Sequence, residues 1–137
     1  MLSGGGEIRT QGSHPSGRRW RVSIRDARSE ADNEGIATLE MDNQAIATSG
    51  DYLQNWSVKD DDATVHTYSH IINPKTLIPL KVEADRITSV TVVAPTCAMA
   101  DGLATALMLF NNAAEAKKWA EALQAKDPRL SFWIATH

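Results

Sequence analysis

Cysteine is almost missing from this sequence: Cys97 is the only one in 137 residues. One thiol cannot make an internal disulfide or a multi-cysteine zinc site, and it reveals nothing of redox compartment. Basic residues do not prevail either, with 14 Lys and Arg against 17 Asp and Glu and a formal charge of −3. Sequence-independent nucleic-acid binding needs clustered cations against phosphates, so that class is set aside. No apolar run approaches the ~20 residues of a membrane-spanning helix. The opening residues Met1-Leu2-Ser3-Gly4 carry no signal-peptide pattern and no Gly after Met1 for acylation. Internal repeats and low-complexity stretches are lacking too.

What is present is the composition of an ordinary globular domain, 42% hydrophobic and 23% charged. A chain of this length buries roughly 68% of its extended surface, which suits one core and not two. The triple glycine Gly4-Gly5-Gly6 before Glu7-Ile8 reads either as a place where backbone approaches a neighbour closely or as a flexible tag.

Periodicity places the elements. Glu7 to Gln11 is expected as a short strand, and His14-Pro15-Ser16-Gly17 as a turn. Trp20, Val22 and Ile24 alternate with polar residues, as in a half-buried strand. Asp26 to Gly35 reads as a polar loop. Ile36–Met41 and Gln44–Thr48, around Asp42-Asn43, read as a second hairpin. Thr48 to Tyr52 reads as a hydroxyl-rich loop and Lys59 to Asp62 as a solvated turn. Thr67–Ile72 is expected as a strand, Pro79–Asp85 as irregular, and the β-branched run Ile87–Ala94 as a central strand. Thr96 can cap a helix from Cys97 to Phe110. Asn112 and Glu115 have capping-box spacing for a second helix to Lys126, with Trp119 and Leu123 inward. Leu130–Ala135 closes the chain as a strand. The expected fold class is α+β, a largely antiparallel sheet of about six or seven strands with two consecutive helices late in the chain.

Candidate chemistry is sparse. Asp101 and Thr105 stand four apart on the first helix, so a carboxylate and a hydroxyl share one face. Two hard oxygens so placed suit Mg²⁺. The same spacing equally fits an Asp complementing the helix dipole and a Thr bonding its own backbone. His70, in an apolar strand, is suited either to proton transfer or to plain packing. His14, His66 and His137 read as turn or end residues without a role, and Cys97 as a small packing residue. Met99, Met108 and Phe110 are expected in the core. Thr48-Ser49-Gly50 could hold an anion through hydroxyls and backbone N–H groups, though without P-loop spacing.

Four blocks, taken in order, resemble the FAD:protein FMN transferase family, the ApbE-like flavin transferases. Gly5-Gly6-Glu7-Ile8 with Trp20-Arg21-Val22-Ser23-Ile24 is similar to G-G-[DE]-I … W-x-V-x-I. Ala45-Ile46-Ala47-Thr48-Ser49-Gly50-Asp51-Tyr52 resembles A-x-A-T-S-G-D-Y. Tyr68-Ser69-His70-Ile71-Ile72-Asn73-Pro74-Lys75-Thr76 resembles H-I-[IL]-D-P-x-T-G. Ser89–Ala94 with Ala100-Asp101-Gly102-Leu103-Ala104-Thr105 resembles S-V-T-V … A-D-[AG]-x-x-T.

The resemblance implies Mg²⁺-dependent transfer of the FMN moiety of FAD to a Thr or Ser hydroxyl of an acceptor flavoprotein, with release of AMP. It places Asp101 and Thr105 on the metal, His70 as the base, and Thr48, Ser49, Gly50 and Ile87 at the flavin. The implied acceptor carries a D-x-x-[ST]-G-[AS]-[ST] motif. Water as acceptor would instead give FAD pyrophosphatase activity, and a rival from another class, favoured by the missing N-terminal half and by Leu77, is a catalytically silent flavin-binding or interaction module. Three positions depart from the pattern: Asn73 stands where the family has Asp, Leu77 where it has Gly, and Ala104 where many members have a second acid. Family members run to roughly twice this length and are often periplasmic lipoproteins. Residues 1–137 are therefore expected to be the C-terminal portion, its site completed by an N-terminal half or a second chain.

Overall fold

A computed structural model describes residues 1–25, 35–52 and 54–136. They form β1 (Leu2–Gly4), β2 (Glu7–Arg9), β3 (Trp20–Arg25), β4 (Gly35–Met41), β5 (Ala45–Gly50), β6 (Asn55–Lys59), β7 (Val65–Ile72), β8 (Pro79–Lys81) and β9 (Ile87–Ala94). Helices α1 (Cys97–Met108) and α2 (Ala113–Lys126) follow, then β10 (Ser131–Thr136). The fold is α+β with antiparallel pairing throughout the described strands. Those strands number ten rather than six or seven: β1 and β8 are only three residues long, too short for a readable period, and β6 is exposed along its length.

One five-stranded sheet, ordered β1-β2-β5-β9-β10, organises the rest. Its period-two alternation divides two cores. Ala47, Val90 and Val92 face α1 and α2, joined there by Ala100, Ala104, Leu107 and Ala116. Ile46 and Val93 face the other way, onto Val22, Ile24 and Met41 of the β3–β4 pair. All eight residues of β9 are buried, as a strand covered on both faces must be.

Both helix caps follow from sequence chemistry. The Met99 N–H donates to Thr96 Oγ1 at 3.2 Å, and the Glu115 N–H donates to Asn112 Oδ1 at 2.9 Å. Each satisfies a backbone donor that the first helical turn leaves open. Trp119 and Leu123 pack on the helical-side core, as their spacing requires.

Several expectations need correction. Ile36–Met41 and Gln44–Thr48 do not form a hairpin: β4 pairs with β3, and β5 pairs with β2 and β9. The turn at Asp42-Asn43 instead hands the chain from one sheet to the other. Thr10 holds that crossing, its N–H donating to the Gln44 carbonyl at 2.8 Å. Thr48–Gly50 is strand, not loop, and Asn55–Lys59 and Pro79–Lys81 add strands. Gly5 and Gly6, at φ +66° and +106°, turn β1 into β2, so the triple glycine is a hairpin. Met99 is 40% exposed, whereas Met108 is buried. His66 lies within β7, its Nε2 2.8 Å from Asp60 Oδ2. The loop expected over 26–34 and the terminal His137 lie outside the described residues. Among the described residues, no helix is long and apolar enough to cross a membrane.

Candidate functional site

Small residues let α1 settle close to the sheet. Ala100 and Ala104 are fully buried against Ala47 and its neighbours, so the helix backbone lies near β5. Ala104, at a position where the resemblance allowed a second acid, is therefore core. Residues one position on, Asp101 and Thr105, emerge at the exposed edge of that contact.

There they meet the end of β5. Ser49 Oγ lies 2.9 Å from Thr105 Oγ1, across 56 residues of sequence. Alternation turns the preceding residue to the opposite face, where Thr48 Oγ1 lies 2.8 Å from Thr91 Oγ1 on β9. Gly50 follows, and a side chain there would collide with Tyr52: an added Cβ would lie 2.8 Å from Tyr52 Cδ1 and 3.2 Å from the Thr88 carbonyl. The glycine thus admits the Tyr52 ring.

His70 comes from β7. Its backbone N–H donates to the Gln54 carbonyl at 3.0 Å, and its Nδ1 lies 3.2 Å from the same oxygen. A carbonyl only accepts, so this contact requires a proton on Nδ1. In the neutral ring Nε2 then carries the lone pair.

These parts converge. Thr48, Ser49, Gly50, His70, Asp101 and Thr105 line one cleft of about 300 Å³, together with Gly5, Tyr52 and Gln54. Asp101 also borders a cavity of about 480 Å³ beside Arg9 and Cys97. Gly5, Thr48 and Tyr52 border another of about 390 Å³ floored by Ile8, Val22 and Ile46. Ile87 does not line the cleft; it is 2% exposed and belongs to the helical-side core. Gly5, Tyr52 and Gln54 carry no site role in the sequence reading. Tyr52 had a readable signal, the glycine two residues before it, whereas the Gln54 contact is made by backbone and has none.

The turn after β7 shows the two other departures. Asn73 Oδ1 accepts the Lys75 N–H at 2.9 Å, a bond that an Asp carboxylate would also accept. Leu77 sits at φ +58°, the left-handed region that glycine occupies without strain. The turn closes nonetheless, the Leu77 N–H donating to the Asn73 carbonyl at 2.8 Å.

Among the described residues no three His, Cys, Asp or Glu side chains cluster to cage a metal. Asp101 and Thr105 are instead two hard oxygens at the rim of a cleft. That donor set fits a cation that keeps water and ligand oxygens in its shell, as Mg²⁺ does.

An α+β fold in which the end of β5, β7 and α1 together gather hydroxyls, a carboxylate and an oriented histidine defines a protein with an oxygen-lined cleft. Comparison narrows the class, and the chain belongs to the ApbE family, whose model matches residues 1–128. It is 46% identical over 118 residues to the FAD:protein FMN transferase of Chlamydia pneumoniae, covering 85% of this chain and 33% of that protein. To the Vibrio cholerae FAD:protein FMN transferase it is 41% identical over 111 residues, covering 80% and 30%. The crystal structure of the ApbE protein from Thermotoga maritima matches with a TM-score of 0.67 at 27% identity, covering 96% of this chain and 38% of that one. The Vibrio cholerae flavin transferase ApbE matches at 0.63 and 35% identity, covering 96% and 40%. The chain thus spans about a third of the length of these relatives.

Proposed function

We propose that this chain carries the metal-and-histidine portion of a flavin transferase. Its reaction moves the FMN moiety of FAD onto a Thr or Ser hydroxyl of an acceptor flavoprotein and releases AMP. One observation carries the reading: β5, β7 and α1, distant in sequence, deliver Ser49, His70, Asp101 and Thr105 to a single cleft. Relatives named FAD:protein FMN transferase supply the substrate class.

In this reading Asp101 and Thr105 hold Mg²⁺, and Ser49 and Gly50 border the anionic part of FAD. When bound, Mg²⁺ offsets pyrophosphate charge and makes AMP a better leaving group. His70 takes the acceptor proton on Nε2, because the Gln54 carbonyl occupies the Nδ1 side. The acceptor oxygen then attacks the flavin-side phosphorus, the P–O–P bond breaks, and AMP departs with the bridging oxygen. Thr48 and the apolar cavity beyond Tyr52 lie on the side suited to the flavin ring. The expected acceptor bears a D-x-x-[ST]-G-[AS]-[ST] segment. The cleft is at the small end of the ~300–1,000 Å³ of ligand pockets, so an N-terminal portion of the enzyme, or a second chain, completes the FAD pocket around residues 1–137.

His70 is exposed at the cleft, which gives water access and favours hydrolysis to FMN and AMP as the second reading. Incubation of the chain, joined to the N-terminal portion that completes the pocket, with FAD, Mg²⁺ and an acceptor bearing the motif separates them. A fluorescent acceptor band after denaturing electrophoresis is the expected result. Free FMN with AMP would select hydrolysis, and intact FAD would leave a silent binding module.

A further inference from the structure

The Ser49–Thr105 contact assigns a role to Ser49 that depends on the metal reading above. A hydroxyl owns one proton and two lone pairs, so in the 2.9 Å pair either oxygen can donate. A cation on Thr105 removes that freedom, because a ligating lone pair points at the ion and the proton must point away from it. The acceptor within bonding distance of that proton is Ser49 Oγ. We propose that Ser49 is a positioning residue for the metal site: it accepts the Thr105 proton and so aims the Thr105 lone pair at the ion that Asp101 shares.

The fold supports this direction. Ser49 faces α1 because strand alternation places it on the same side as Ala47, which packs on the helical core. Ala100 and Ala104 allow that approach, and a larger residue at either position would hold the two hydroxyls apart. Once Ser49 accepts from Thr105, its own proton is released toward the cleft, where it can donate to a phosphate oxygen. With two ligands from the described residues, the site depends on such support, since partners behind metal ligands commonly change affinity 10- to 100-fold.

Metal titration of the 137-residue chain tests this without any turnover. Mn²⁺, followed by electron paramagnetic resonance and competed with Mg²⁺, reports occupancy directly. Ser49→Ala is expected to weaken binding about 10-fold or more, and Ser49→Thr, which keeps the hydroxyl, to restore it. In a Thr105→Val background, Ser49→Ala is expected to add nothing further, since it acts through Thr105. Should Ser49→Ala bind as tightly as wild type while Asp101→Ala does not, the role of Ser49 is overturned and the metal site stands. Should Asp101→Ala also bind normally, the metal reading itself fails. If Ser49→Ala does not fold, by circular dichroism, Ser49→Thr and Ser49→Cys decide instead, since only the threonine keeps a strong acceptor.

Discussion

Ser49 and Thr105 touch through their hydroxyl oxygens at 2.9 Å, although 56 residues separate them. The contact exists because α1 crosses β5 on alanines, and it turns two scattered motifs into one site.

Gly50 is required by the Tyr52 ring. Gly50→Ala places a methyl group against that ring and the Thr88 carbonyl, so Tyr52, which lines the cleft, must shift. Overpacking of this kind costs about 1–3 kcal/mol. Urea denaturation should show the loss, and FAD titration should show weakened binding.

Leu77 has the opposite fault. A left-handed non-glycine residue costs roughly 1–2 kcal/mol, while glycine adds about 0.5–1 kcal/mol of unfolded-state freedom. With its side chain 77% exposed, Leu77 gives up little packing. Leu77→Gly should therefore stabilise the chain by about 0.5–1 kcal/mol, read as a rise in the urea midpoint at unchanged slope.

His70 should show one neutral tautomer. The Gln54 carbonyl demands a proton on Nδ1. Nitrogen-15 correlation spectra of the histidine-labelled chain at high pH should then show His70 Nδ1 protonated and Nε2 bare. The reverse pattern would remove Nε2 as the proton acceptor.

Asp127, the residue capping the end of α2, supplies a pH dependence. Arg129 donates to it from Nε at 2.8 Å and from Nη2 at 2.7 Å. These side-chain bonds, with the Arg129 N–H, lower the carboxyl from 3.8 to about 2. A lowered carboxyl stabilises the fold above its ordinary value, and the gain disappears as pH falls through the folded one. Wild type should exceed Asp127→Asn in urea midpoint at pH 5, and the gap should shrink between pH 4 and 2. The pair is at the surface, so added salt should shrink it too.

Sequence pattern reveals what local physics decides. The alternation of Trp20–Ile24, the caps Thr96 and Asn112, and the β-branched run Ile87–Ala94 each became the expected element. Pairing was harder. Asp42-Asn43 has hairpin chemistry, yet β4 and β5 part because Thr10 and β9 compete for the second strand. Strand β6 is exposed along its whole length, so no burial period marked it. At the site, spacing alone placed Asp101 and Thr105 on one helix face. Their meeting with Ser49, and the bond from His70 to a backbone carbonyl, are tertiary contacts that no local pattern encodes.

The intact mass of an acceptor protein, taken after incubation with FAD, Mg²⁺ and this chain joined to the N-terminal portion that completes its pocket, tests the central claim most directly. The account predicts the gain of one FMN moiety with matching release of AMP, abolished by Asp101→Ala and by His70→Ala in chains that still fold. An acceptor left unmodified by the completed wild-type enzyme, or modified equally well by its Asp101→Ala variant, would contradict it.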